Sequence, residues 1–171
     1  MDEKTANFWR ILEINLDWIK YSDAKATGIL TIYGIIVTVV YSNAVDIFGG
    51  EGVPLSQVIT SAAFGAASLA AIYYAFRCIT PRIMPSNQPS IIFFTTIRQY
   101  YPLMEDYLTA SHAVLDSKVG LDEQLARQIH INALIAQQKF NNVTLSIRYF
   151  VISILLLIAD VVMSVLAGGV Q

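Results

Sequence analysis

Three apolar stretches of membrane length constrain this chain more than any other feature. No charged residue occurs from Ala26 to Val45 or from Gly52 to Phe76, which are runs of 20 and 25 residues. The third stretch, Tyr149 to Gly169, contains one charge, Asp160. A helix of about 20 predominantly apolar residues crosses a hydrocarbon core of roughly 30 Å. We therefore predict transmembrane helices at 26–45, 53–76 and 149–169.

The composition agrees with a lipid-covered surface. Charged residues make up 14% of the 171 residues, against about 25% in ordinary soluble domains. A soluble bundle of three buried helices is the alternative, but buried core helices usually run for about 10 to 14 apolar residues. The single cysteine, Cys78, excludes an internal disulfide and a multi-cysteine metal site.

Basic residues set the predicted orientation. All 11 lysines and arginines lie before the first span or between the second and the third. Cytoplasmic loops carry the excess of Lys and Arg in membrane proteins. The sequence thus predicts a multi-pass protein of the bacterial inner membrane with its N-terminus in the cytoplasm.

The rest of the chain is predicted to be helical, which makes the fold class an all-α integral membrane protein. We divide it into an N-terminal cytoplasmic amphipathic helix (1–25), a transmembrane hairpin (26–76), a helical cytoplasmic stalk or sensor region (77–148) and the third span (149–169). No helix breaker precedes Gly28, so the first helix should run directly into the first span. From Leu121 a helical pattern leads into the third span, with an apolar face at Leu125, Ile129, Ala133, Ala136, Phe140, Val143 and Ile147.

Small and polar residues form a stripe along the first span, and two readings of it stay open. The stripe indicates either close helix packing or the lining of a pore, and Gly65 in the second span belongs with it. Asp160 is also a candidate, because ionisable residues inside a span usually face a bundle interior or water. The stripe consists of Thr27, Thr31, Gly34, Thr38 and Ser42.

A second polar strip runs along the long C-terminal helix, and it is read either as a solvated face or as a ligand-binding surface. At similar heights above the membrane, the N-terminal helix and this helix would bring Trp18 and Asp23 near Lys139. Lys25 and Arg77 mark predicted cytoplasmic ends of spans, where basic side chains reach the interface. The strip comprises Gln128, Asn132, Lys139, Asn142 and Ser146.

Catalytic and metal motifs are weak. Ser22-x-x-Lys25 matches a penicillin-binding enzyme motif without its companion elements, and no standard phosphate-binding glycine loop occurs. His112 and His130 lack cysteine partners for a metal. We predict neither an enzyme, nor a cofactor, nor a metal site.

Short landmarks along nearly the whole chain resemble one family, the transmembrane effectors of Pycsar antiphage systems. The landmarks are Trp18 with Ser22-Asp23-Ala24-Lys25-Ala26, Arg77 with Pro81-Arg82, Ile92-Phe93-Phe94, and Gln128-Ile129, Asn132, Ile135-Ala136 and Lys139-Phe140. In such systems a partner cyclase makes cyclic CMP or cyclic UMP during infection. The resemblance implies that a cytoplasmic surface binds this cyclic pyrimidine mononucleotide and that the membrane part then impairs the bilayer, which stops growth before phage spread.

The implied partners are a lipid membrane, a cyclic pyrimidine nucleotide and further copies of the same chain, with no nucleic acid polymer. The resemblance does not identify the residues that touch the ligand. Our candidates are Trp18, Asp23, Lys25, Arg77, Arg82, Gln128, Asn132, Lys139 and Asn142.

Other readings of the same residues stay open. Three roles for Asp23 are open. It holds Lys25 or Lys139 in place, or it accepts a hydrogen bond from a base or ribose. Otherwise it forms a helix cap or a stalk ion pair that contributes little to stability. Three alternatives for the whole chain are a membrane effector triggered by another nucleotide or a protein partner, a small membrane enzyme with Asp160 or Asp23 as its working carboxylate, and a passive scaffold.

Overall fold

Five α-helices make up most of the residues that the structure, a computed structural model, describes: 2–42, 54–81 and 88–168. We number them α1 (Glu3–Ser42), α2 (Leu55–Ile79), α3 (Phe94–Tyr100), α4 (Met104–Asp116) and α5 (Lys118–Gly168). These described residues contain no β-strand. The predicted all-α fold class is confirmed.

Three of the helices are long and apolar enough to cross a membrane, namely α1, α2 and the part of α5 at Val119–Val165. At 1.5 Å per residue, the 40 residues of α1 and the 51 residues of α5 make rods about 60 and 76 Å long. Both are at least twice as long as a hydrocarbon core is thick. The three predicted spans are therefore confirmed as helices, while residues 43–45, 53 and 169 at their ends lie outside the described residues.

Proline and serine residues determine where the helices begin and end. Pro54 precedes the first residue of α2, and α2 ends just before Thr80 and Pro81. The residue before a proline is driven away from helical backbone angles, and Pro102 follows the end of α3 in the same way. Ser117 separates α4 from α5. Its Oγ accepts a hydrogen bond from the Gly120 N–H, 3.2 Å away. This is the usual bond of a serine N-cap.

One compact unit comprises Tyr21–Thr80 and Lys139–Gln171. In it α1, α2 and α5 pack through small side chains, with Ala26, Ala75 and Cys78 fully buried against Val143. A second cluster lies further along the same helices and consists of Ile29, Tyr33 and Ala71. Lipid tails are as apolar as leucine, so helices in a membrane associate through close packing that small residues permit.

The other compact unit comprises Met1–Lys20 and Pro81–Gln138. Its buried residues include Leu12, Ile91, Leu125 and Ile135. The two units divide α1 after Lys20 and α5 after Gln138. The boundaries that we placed at residues 25, 77 and 148 concern where lipid begins, and they stay predictions.

A carboxylate ties the first turns of α1 and α5 together in this second unit. Thr5 Oγ1 donates a hydrogen bond to Asp122 Oδ1 over 2.9 Å, and Lys4 Nζ lies 3.0 Å from Asp122 Oδ2. The bond from Lys4, followed by the bond from Thr5, lowers the pKa of Asp122 below its ordinary value of 3.8. Both contacts favour the ionised carboxylate.

Acid should therefore weaken this unit. Because the pKa of Asp122 is lower in the folded chain than in the unfolded one, its contribution to the free energy of unfolding is complete above about pH 4 and is lost as pH falls through the folded value. We expect Asp122→Asn to remove that part of the pH dependence below about pH 4. Thermal unfolding in detergent across this range measures it. The exposed Asp116→Asn serves as the control, and equal pH profiles for the two variants would contradict the assignment.

Candidate functional site

The buried face of α5 carries a row of polar residues spaced seven apart. Asn132, Lys139, Ser146 and Ser153 are 6%, 4%, 0% and 0% exposed, and Asp160 continues the row half-buried. A seven-residue period keeps one face of a helix toward its neighbours. We call these five residues the polar row.

This arrangement overturns one reading of the strip on the long helix. Gln128, Asn132, Lys139 and Ser146 are buried rather than solvated, and Asn142 is half-buried. Of the predicted apolar face, Ala133, Phe140 and Ile147 are exposed instead. In the membrane part of α5, polar side chains are buried for a physical reason. Lipid solvates apolar side chains there, so polar side chains must find partners inside the protein.

Lys139 lies at the centre of a buried ion pair. Its Nζ donates to Asp23 Oδ1 over 2.5 Å and to the backbone carbonyl of Cys78 over 2.8 Å. The Lys139 side chain is 5% exposed and that of Asp23 is 36% exposed. A buried cation without such partners would be far more costly than a polar group. Of the alternatives for Asp23, the structure shows the pairing with Lys139.

The carbonyl of Cys78 can bind this cation because of its position at the C-terminal end of α2. Cys78 lies in the last turn of α2, where the final four carbonyls have no partner within the helix. The C-terminal end of a helix also carries partial negative charge. Lys139 therefore links α5 to the side chain of Asp23 on α1 and to the end of α2.

The remaining members of the row that lie in the same unit also bond to α1 or α2. Ser146 Oγ donates to the Ala71 carbonyl over 2.8 Å. Ser153 Oγ and the Tyr33 hydroxyl share a hydrogen bond of 2.6 Å. Thr60 and Ser61 donate to the two carboxylate oxygens of Asp160, over 2.6 and 2.9 Å. Each member of the row in this unit thus has a hydrogen-bond partner on α1 or α2.

The other predicted ligand-binding residues differ in their exposure. Gln128 donates to Asn132 over 3.0 Å in the unit that contains both. Trp18 and Lys25 are exposed on α1. Arg77 is exposed on α2, where its guanidinium lies 5.9 Å from the ring centre of Tyr73. Arg82 lies outside the described residues.

The stripe along the first span faces away from the other helices of its unit. Thr27, Thr31, Gly34, Thr38 and Ser42 are all exposed. Three of them donate to carbonyls four residues earlier in α1: Thr31 to Thr27, Thr38 to Gly34 and Ser42 to Thr38. Gly65 is half-buried, and a Cβ added at Gly34 or Gly65 would meet no atom within 4 Å.

A separate cleft opens beside the first part of α5, entirely within the unit Met1–Lys20 with Pro81–Gln138. We call it the α5 cleft. Counting its solvent-open part, it encloses about 310 Å³. Its lining residues are Gln88, Pro89, Ser90, Phe93, Thr96, Gln124, Arg127, Gln128 and Ile131.

Hydrogen bonds and an ion pair hold the polar side chains of the α5 cleft in place. Gln124 Oε1 accepts a hydrogen bond from the Ile91 N–H over 3.0 Å and one from Ser90 Oγ over 3.3 Å. Arg127 donates to Gln88 and forms an ion pair with Glu123 at 3.2 Å. The Arg127 side chain is 50% exposed.

Sequence reasoning missed most of this cleft and the partners of the polar row. Of the lining residues only Gln128 was a candidate, although Phe93 belonged to a family landmark. The seven-residue spacing from Asn132 to Asp160 was available in the sequence and would have identified the buried face. Within the described ranges, no three His, Cys, Asp or Glu side chains lie close enough together to hold a metal ion.

Three membrane-length helices define a helical membrane protein. The family model of the Pycsar effector protein domain matches residues 7–168. The chain therefore belongs to the Pycsar effector family and is a membrane effector of antiphage defence. The Pycsar effector protein PtPycTM of Propioniciclava tarda is 28% identical over 143 residues, which cover 80% of this chain and 68% of the relative. No solved structure matches the chain.

Proposed function

We propose that this effector is activated by a cyclic pyrimidine mononucleotide, cyclic UMP or cyclic CMP, and then impairs the bacterial inner membrane. Growth arrest or death of the infected cell would follow, without a catalytic step. The observation that carries the proposal is the match of the Pycsar effector domain to residues 7–168, which include all of α2 and α5 and all but the first four residues of α1.

A single helix provides a route from signal to membrane. α5 carries lining residues of the α5 cleft in its first turns and the polar row further along. A ligand shifts an equilibrium between two states only through its different affinities for them. A nucleotide that holds the first turns of α5 in a new position would therefore change the packing of the same helix in the bilayer.

The polar row supports an effect on the membrane rather than a passive anchor. Lys139, Ser146, Ser153 and Asp160 are each satisfied by bonds to α1 or α2. If α5 shifts, these groups lose their partners, and an unsatisfied polar group costs several kcal/mol in hydrocarbon. Water entering beside α5 would satisfy them again, which makes a hydrated leak the expected form of damage.

Charge distribution and the exposed stripe support the finer parts of the proposal. All 11 basic residues lie before the first span or between the second and third, a distribution that supports a cytoplasmic N-terminus. The stripe from Thr27 to Ser42 is exposed in one chain, and small residues are the ones through which membrane helices approach closely. We therefore propose a homo-oligomer with this stripe at its interface.

Reconstitution in liposomes tests the proposal. Purified protein is inserted into vesicles that contain a fluorescent dye, and each cyclic nucleotide is added in turn while dye release and nucleotide binding are recorded. We expect leakage with one cyclic pyrimidine nucleotide and none with cyclic AMP. Nucleotide on the side that exposes residues 88–131, identified by protease accessibility, should act, and nucleotide on the other side should not.

Different failures of this experiment identify different alternatives. Leakage with a purine nucleotide alone would favour an effector of the same design with another signal. Binding without leakage would favour a scaffold, and conversion of the added nucleotide would favour a membrane enzyme. Each of these results would overturn the proposal as stated.

A further inference from the structure

We propose that the α5 cleft is the site at which this effector binds the cyclic pyrimidine nucleotide, with Phe93 stacking on the base, Arg127 pairing with the phosphodiester and Gln124 donating to the base. The assignment rests on the proposed function and makes it specific. It replaces the candidate surface around Lys139, whose Nζ already bonds to Asp23 and to Cys78.

The α5 cleft is an open groove, and its volume of about 310 Å³ includes open solvent. A ligand bound there would lie along the surface of the unit with one side in water. Its recognition must therefore come from the side chains that line the groove.

Phe93 supplies an aromatic face for the base. It lies half-buried just before the first residue of α3 and lines the cleft, whereas its neighbour Phe94 is 67% exposed. Proteins that bind unpaired bases commonly stack them on aromatic side chains. Such stacking accepts any base, so the choice of base must come from polar groups nearby.

Gln124 supplies a polar group with a fixed orientation. The Ile91 N–H donates to its Oε1, which requires the oxygen rather than the nitrogen of the amide on that side. The two N–H groups of its Nε2 are then the donors left for a ligand. Uracil and cytosine both carry a ring carbonyl that accepts such a bond.

Arg127 supplies the positive charge for the phosphodiester. Its partner Glu123 is one turn earlier on the same exposed helix surface, and exposed pairs of this type contribute little stability. A phosphate can therefore replace Glu123 at small cost. The planar guanidinium forms two parallel hydrogen bonds to phosphate oxygens, which a lysine does not.

Both ligand-facing donors lie on α5, within a single turn. A nucleotide held by Gln124 and Arg127 at one side and by Phe93 at the other would fix α5 relative to the segment that leads into α3. The contact would therefore act directly on the helix that carries the polar row.

Binding by the full-length protein in detergent micelles tests the assignment, with titration calorimetry for cyclic UMP and cyclic CMP. We expect Phe93→Leu and Arg127→Gln each to weaken binding by roughly 10- to 100-fold. The matched controls are Phe94→Leu and Arg98→Gln, which change an exposed phenylalanine and an exposed arginine of the same unit. Both controls should stay within about twofold of wild type.

Arg127→Lys gives a second measurement that does not depend on folding defects, because the side chain is half-exposed and keeps its charge. It should restore only part of the affinity lost in Arg127→Gln, since it lacks the two-pronged bond. If wild type binds neither nucleotide, the proposed function and this site both fail. If wild type binds and Phe93→Leu or Arg127→Gln binds equally well, the site is wrong while the function stands.

Discussion

Replacing Asp23 with alanine should destabilise the three-helix packing and make the protein leak without any nucleotide. The substitution leaves the Lys139 cation buried, with its bond to the Cys78 carbonyl still in place. Removing one member of a buried pair costs about 3 to 5 kcal/mol, and we expect about 3 kcal/mol here because Asp23 is one-third exposed. Unfolding in mixed detergent measures the stability, and dye release from vesicles measures the basal leak.

Two variants control for this effect. Asp17→Ala removes another aspartate of α1, one that pairs with Lys20 on the exposed surface, and it should change stability by less than about 1 kcal/mol. Adding Lys139→Met to Asp23→Ala removes the unpaired cation and should restore most of the lost stability. Should Asp23→Ala and Asp17→Ala behave alike, the ion pair would have no structural role.

Ala71→Leu should also have a large effect, because it enlarges a fully buried side chain where α2 packs against α1 and α5. Ala71 is fully buried, and its carbonyl accepts the hydrogen bond from Ser146. Overpacking a close-packed site typically costs about 1 to 3 kcal/mol. We expect about 2 kcal/mol or more, since separating the helices also weakens the Ser146 bond. Unfolding in mixed detergent measures the loss.

Ala66→Leu is the matched control, since Ala66 lies on the exposed face of the same helix. A leucine there faces lipid in a single chain and should be close to neutral in dilute micelles. At high protein-to-lipid ratio it also tests whether another copy packs on this face. A loss of stability in Ala66→Leu that equals the loss in Ala71→Leu would show that the packed face of α2 is assigned incorrectly.

The long helices could be predicted from the sequence because local features of the chain determine them. Charge-free runs set the spans, and the absence of a breaker before Gly28 allowed α1 to continue into the membrane. The end of α2 before Pro81 and the end of α3 before Pro102 follow from the same local rules. The described structure agrees with the predicted spans and with the continuous first helix.

The buried face of α5 was predicted less well, because hydropathy alone does not say which side of a membrane helix faces protein. The sequence reading placed Phe140 and Ile147 on the packed side, and both are exposed. Lys139 was proposed as a ligand contact, and it is committed to Asp23 and Cys78. That bond joins residues 116 apart in the chain, and local patterns carry no information on such a pairing.

The α5 cleft was beyond sequence reasoning for a similar reason. Gln124 and Ile91 lie 33 residues apart, so their bond depends on how the chain returns from α2 to α5. Phe93 and Phe94 are equivalent in the sequence, yet one lines the cleft and the other is exposed. Only the tertiary arrangement distinguishes them.

The regular spacing of Lys139, Ser146, Ser153 and Asp160 has a kinetic consequence. If α5 turns as a rigid helix, every position along it rotates through the same angle. The bonds of these four side chains should therefore break together rather than one after another. Each molecule should then be either fully packed or fully released, without a half-released form in between.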